Sequence, residues 1–210
     1  MEKTEILIVR HGESMGNRER IFAGHFDVDL TERGYMQAEA TADFLKHEKI
    51  DAIYSSDLKR AYNTALPHAA IHGLRVNTSK DLREISIGIL EGADIKLIAK
   101  RRGPSFLKYW TDDFGLFAFL GGESTIEAGE RFFDALKDIA KAHLGQRILV
   151  TAHAGVIRAF WGKVCRIEPV RLGVQIPFAA NASVNRVIFD GGEFIPISYS
   201  ENQHLIEKGL

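Results

Sequence analysis

Three short apolar runs, each breaking off into polar or cationic residues, constrain the fold of this chain more than any other feature. Residues 6–9 (Ile-Leu-Ile-Val) lead into Arg10-His11-Gly12. Residues 52–54 lead into Ser55-Ser56-Asp57, with Arg60 one helical turn later, and residues 148–150 lead into Thr151-Ala152-His153. Such runs read as strands buried on both faces, the habit of parallel sheets covered by helices. Helical patterns lie between them. Thr31 is placed to cap a helix with Tyr35, Ala38, Ala42 and Leu45 at helical spacing, and Asp57 to cap another reaching about His72. Ser124 and Glu127 form a capping box before a long helix with Ile126, Gly129, Phe133, Leu136 and Ala140 on one face. Residues 155–163 read as a further helix. Asp190-Gly191-Gly192 joins residues 183–189 and 194–199 as a hairpin. The expected architecture is a three-layer α/β/α sandwich with a mostly parallel central sheet and a C-terminal antiparallel hairpin.

In open α/β sheets, ligands bind beyond the carboxyl ends of the strands. Parallel neighbouring strands would bring Arg10, His11, Arg60 and His153 to one edge. Any one of them alone at a strand exit reads as a solvated polar residue; their coincidence at three exits points to a site. Two arginines and two histidines without a Cys or carboxylate cluster suit a phosphoryl group rather than a transition metal. Arginine offers a rigid donor fork for two phosphate oxygens. Neutral imidazole attacks without losing a proton, and a second histidine, held protonated by the phosphate, would stabilise the charge that builds on its oxygens. The helix amino termini after Ser56 and His153 are expected to add backbone donors, and Gly12, Gly16 and Gly155 to let the backbone approach an anion closely. A formal net charge of -1 argues against a long-range basic field for nucleic acid, so a few local cations must hold the substrate.

The ordered motifs resemble a known family. The run from Leu7 to Ser14 with Asn17, Thr31-Glu32-Arg33-Gly34, Ser55-Ser56-Asp57-Leu58-Lys59-Arg60-Ala61, Leu82-Arg83-Glu84-Ile85, Glu91-Gly92, Gly121-Gly122-Glu123-Ser124 and His153-Ala154-Gly155-Val156-Ile157-Arg158 are similar to the histidine phosphatase (phosphoglycerate mutase-like) superfamily, closest to its broad-specificity phosphatases. The resemblance implies phosphorylation of His11 on a ring nitrogen. It implies a phosphate pocket of Arg10, Arg60 and His153, and substrate contacts from Asn17, Gly24 and Ala154. It also implies that Glu84 protonates the leaving oxygen and then activates water. The bland reading of Glu84 is a surface carboxylate paired with Arg83. No cofactor and no metal are implied. The fold expected is one domain over residues 1–210, with 91–122 as a helical, lid-like insertion broken at Gly103-Pro104.

Mutases of this type carry an Arg and an aromatic residue soon after the acid to grip a substrate carboxylate. Here Glu84 is followed by the uncharged Ile85-Ser86-Ile87-Gly88, and the stretch to His153 is short, which favours hydrolysis. Lys100-Arg101-Arg102 reads as the solvated end of a helix rather than a carboxylate grip. The alternatives are a phosphoglycerate mutase and a non-catalytic phospho-ligand-binding protein. The insertion's Phe106, Tyr109, Trp110, Phe114, Phe117 and Phe119 read mainly as packing onto the sheet, with an apolar substrate wall or a homodimer interface as other readings. The single cysteine, Cys165, reads as a packing residue and excludes an internal disulfide. No apolar run approaches the roughly 20 residues that span a bilayer. The expectation is a cytoplasmic protein whose partner is a small phosphorylated molecule, without nucleic acid or membrane.

Overall fold

The computed structural model describes residues 2–103, 114–116 and 118–210. Its strands are β1 (Thr4–Arg10), β2 (Ala52–Ser56), β3 (Val76–Ser79), β4 (Arg147–Ala152), β5 (Val184–Asp190) and β6 (Glu193–Glu201). In chain order the helices are α1 (Met15–Glu19), α2 (Glu32–Leu45), α3 (Lys59–His72), α4 (Ile95–Arg102), α5 (Thr125–Ala142), α6 (Ala154–Val164), α7 (Pro169–Gln175) and α8 (Gln203–Ile206). The strands form one sheet in the order β3-β2-β4-β1-β5-β6. β1 pairs parallel with β4, and β2 parallel with both β4 and β3. β5 runs antiparallel to β1 and β6. The mostly parallel sheet with its terminal hairpin is therefore the one the sequence predicts.

The pleat explains the continuous aliphatic runs. Ile6 and Ile8 join Ile148 and Val150 on one face, under Phe132 and Leu136 of α5 and Ile157 and Phe160 of α6. Leu7 and Val9 join Ile53 and Leu149 on the other, against Leu45 of α2 and Ala65 and Ala69 of α3. Burying each such large aliphatic side chain stabilises the fold by about 1.5–3 kcal/mol. Register aligns Arg10 with Ala152 and Ser55 with Thr151, so β1, β2 and β4 end at one level.

Several local expectations need correction. Asp57 does not cap α3; its carboxylate takes the Arg83 fork at 2.6 and 2.7 Å. The Lys59 N–H at the start of α3 instead donates to Asp27, 32 residues upstream, at 2.8 Å. On α5 the buried stripe is Ala128, Gly129, Phe132, Leu136, Ile139 and Ala140, while Ile126 is half exposed. Adjacent Phe132 and Phe133 are equally apolar, so spacing alone left the face one residue off. Tyr35 and Ile89 lie outward, and Cys165 is exposed rather than packed. The edge strand β3 and the helices α1, α7 and α8 have too few apolar residues to signal themselves by period. In the insertion, α4 accounts for the first expected helix. The second helix, with Phe106, Tyr109, Trp110 and Phe117, lies outside the described residues. Phe114 and Phe119 are buried, in line with a packing role. Among the described residues no helix is long and apolar enough to cross a membrane.

Candidate active site

Beyond the carboxyl ends of β1, β2 and β4 lies a cavity of about 250 Å³ lined by Arg10, His11, Asn17, Gly24, Arg60, Glu84 and Ala154, among others. His153 is not part of this lining. It is fully buried against the cavity's inner wall, its ring 5.2 Å from that of His11. The structure thus gathers the predicted residues from β1, α1, the 21–25 loop, α3, the loop after residue 82 and the start of α6.

His11 has a defined protonation pattern. Its Nδ1 lies 2.7 Å from the Gly12 carbonyl oxygen. A carbonyl can only accept, so Nδ1 carries the proton and Nε2 keeps its lone pair. Burial, reinforced by Arg60 and Arg10, pushes the ring's pKa well below the usual histidine value, so it is neutral at ordinary pH. His153 is held down in the same direction by burial and Arg60. At rest it is therefore a neutral ring, and the expected imidazolium depends on the charge of a bound phosphate. Neither of its ring nitrogens has a partner among the described residues, nor does Arg10 Nε.

The arginines are aimed by backbone carbonyls. Arg10 Nη1 donates to Ala179 at 2.5 Å, and Arg60 donates to Gly24 at 2.7 Å and Phe26 at 3.2 Å. Burial lowers both to about 10, and nearby Glu84 pulls each back up, so both stay charged at neutral pH. Asn17 Oδ1 is occupied by the α1 capping box, taking the Ser14 N–H at 3.1 Å, and also accepts from Asn181 at 3.2 Å.

Glu84 departs from its bland reading. Arg83 belongs to Asp57, and the Glu84 carboxylate accepts the Gly155 and Val156 N–H groups, each at 3.1 Å. The first turn of α6 therefore holds the acid rather than offering those donors to an anion. Likewise Gly155 serves the protein itself, since a Cβ there would come 2.5 Å from Glu84 Oε1 and press on the acid. A Cβ on Gly12 would strike the Gly34 oxygen at 2.3 Å.

Two residues that sequence reasoning missed grip the acid's backbone. His25 Nε2 donates to the Glu84 carbonyl at 2.8 Å. Arg131 donates to the carbonyls of Asp81, Arg83 and Glu84 while its guanidinium is paired with Glu123. Arg131 sits on the long helix at ordinary surface spacing, so nothing in the sequence set it apart. Gly-Gly-Glu-Ser at 121–124 marked Glu123 without showing its partner.

Residues 6–202 match the family model of the histidine phosphatase superfamily (branch 1). This chain belongs to that family. Among relatives of this histidine phosphatase are phosphoglycerate mutase-like protein 4 and metal-independent phosphoserine phosphatase, both of Arabidopsis thaliana. The first is 36% identical, with 100% of this chain and 90% of that protein covered. The second is 37% identical, with 100% and 86% covered. The structure of phosphoserine phosphatase from Entamoeba histolytica, bound to 3-phosphoglyceric acid, superposes with a TM-score of 0.82 at 26% identity, covering 96% of this chain and 99% of that one.

Proposed function

We propose that this chain hydrolyses phosphomonoesters through a phosphohistidine on His11, with Glu84 as proton donor and without a metal. The reading rests above all on His11: its Nδ1 proton is committed to Gly12, which leaves Nε2 to attack in a cavity shared with two arginines and a carboxyl group. Nε2 forms a bond to phosphorus as the ester P–O bond breaks. Glu84 gives a proton to the departing alkoxide. Water then attacks the phosphohistidine, loses its proton to the Glu84 carboxylate, and the P–N bond breaks. Phosphate leaves, and His11 and Glu84 return to their starting states. Arg10 and Arg60 neutralise the phosphoryl oxygens, and His153 donates a further N–H from the inner wall; this set does the work that Mg²⁺ does in other phosphoryl-transfer sites. Asn17, Gly24 and Ala154 border the substrate.

Hydrolysis is favoured over mutase exchange because Lys100 and Arg101 are exposed on α4 and are not among the cavity's lining residues, while Ile85 and Ile87, which follow the acid and do line it, carry no charge. The test is release of phosphate from p-nitrophenyl phosphate in excess EDTA. The wild-type chain is expected to turn over and His11→Ala to lose at least a thousandfold in kcat. Full inhibition by EDTA, or a His11→Ala enzyme of near-normal rate, contradicts the reading.

A further inference from the structure

The tautomer of His11 hangs on one peptide unit. The Gly12 carbonyl oxygen meets the ring at Nδ1, 2.7 Å away. In a trans peptide the N–H across the same bond points the opposite way. That N–H, of Glu13, donates to Gln37 Oε1 at 2.8 Å. Gln37 is buried on α2. The start of this helix grips Glu13 along one face, where Thr31, Gly34 and Gln37 follow at a spacing of three. The Thr31 N–H and hydroxyl donate to the Glu13 carbonyl at 2.8 and 3.2 Å. Gly34 leaves room for that oxygen, since a Cβ there would come 2.0 Å from it.

The backbone on either side is pinned as well. The His11 carbonyl accepts from Asn181 Nδ2 at 3.1 Å and from the Ala182 N–H at 3.2 Å, and the Gly12 N–H donates to Thr64 at 3.0 Å. Rotation of the Gly12–Glu13 peptide between these fixed ends is the freedom that remains, and a glycine at position 12 permits it. A flip would turn the Glu13 N–H toward Nδ1 and the Gly12 carbonyl away. The neutral ring would then accept at Nδ1 and carry its proton on Nε2, with no lone pair left to attack phosphorus. Resting on the phosphatase reading, we propose that Gln37 is a positioning residue for the nucleophile: by holding the Glu13 N–H it keeps the Gly12 carbonyl at Nδ1 and the lone pair on Nε2.

The test is Gln37→Met, which keeps a side chain of similar length and removes the acceptor oxygen; Gln37→Leu serves if that variant does not fold. Long-range ¹H–¹⁵N NMR spectra of protein labelled at histidine, taken near neutral pH, read the tautomer of His11, whose signals are those missing from His11→Ala. The wild type is expected to show a single form protonated on Nδ1. In the variant the Glu13 N–H lacks its acceptor, and turning toward Nδ1 restores one. A form protonated on Nε2 should therefore appear, and kcat/KM for p-nitrophenyl phosphate should fall at least threefold. The inhibition constant of inorganic phosphate should stay within twofold, because Arg10 and Arg60 are untouched. A wild-type ring protonated on Nε2 overturns the proposal, as does a folded variant that keeps the wild-type tautomer. So does a changed tautomer without loss of rate, or a loss of rate matched by an equal loss of phosphate affinity. A wild type with the expected tautomer that hydrolyses no phosphomonoester overturns the phosphatase reading instead, while the tautomer of the variant still decides the role of Gln37.

Discussion

At the scale of single residues, the site depends on where protons and donors are already committed. His11 is prepared by one hydrogen bond to Gly12, and Glu84 is held by two from the first turn of α6. Gly155 is the tightest point of that arrangement. Gly155→Ala would place a methyl group 2.5 Å from Glu84 Oε1 and 2.9 Å from Ile85 Cδ1, so the acid must move. The expected outcome is a drop in kcat of at least tenfold for an alkyl phosphate, with a much smaller drop for p-nitrophenyl phosphate, whose leaving group needs little help from an acid. Glu84→Gln should show the same split more strongly. Equal losses on both substrates would remove Glu84 from the donor role. The sequence offered Arg10, His11, Arg60 and His153 because each sits where a legible strand or its following helix begins or ends. Glu84 has no such marker, and it entered through family resemblance alone.

At the scale of elements, remote side chains complete what local sequence leaves open. Asp27 serves the start of α3, Glu84 the start of α6, and Arg131 of α5 ties down the backbone from Asp81 to Glu84. A local reading assigns caps to neighbours, as it does correctly for Thr31 and Ser124, and misses partners that only the fold brings near. The same limit explains the misplaced cap at Asp57 and the unnoticed His25. Arg131→Ala removes a guanidinium that binds three carbonyls and leaves Glu123 without its partner. It should cost about 2 kcal/mol of stability, read by denaturant unfolding. It should also lower kcat for alkyl phosphates with little change in KM. Arg131→Lys should restore part of the stability but little of the rate, because an ammonium cannot span the fork's contacts. A variant of normal stability and normal kcat would show that the loop holds itself.

At the scale of the whole molecule, the fold buries histidines as neutral rings. His68 in α3 is fully buried with neither ring nitrogen partnered among the described residues, and burial lowers it from 6.5 to about 3. His11 and His153 shift in the same direction. Below pH 6.5 the unfolded chain therefore binds protons on these rings that the folded chain refuses, for His68 down to about 3. The contribution of His68 to stability is level above pH 6.5 and falls as pH drops from there to about 3, by up to about 1.4 kcal/mol per pH unit. His68→Leu should reduce the difference in melting temperature between pH 8 and pH 5; an unchanged difference would mean that His68 does not contribute. The mostly parallel sheet was legible because uninterrupted apolar runs have few other uses, whereas its strand order was not, nor the backbone pairing of residues 20–22 with 92–95, whose partners lie far apart in sequence. The most direct measurement on the central claim is rapid acid-free quenching of the enzyme with ³²P-labelled substrate, followed by mapping of the label. The account predicts an acid-labile, alkali-stable phosphoryl group on His11 that turns over with the substrate and is missing from His11→Ala. Steady hydrolysis with no label on the protein, or label on another residue, would contradict it.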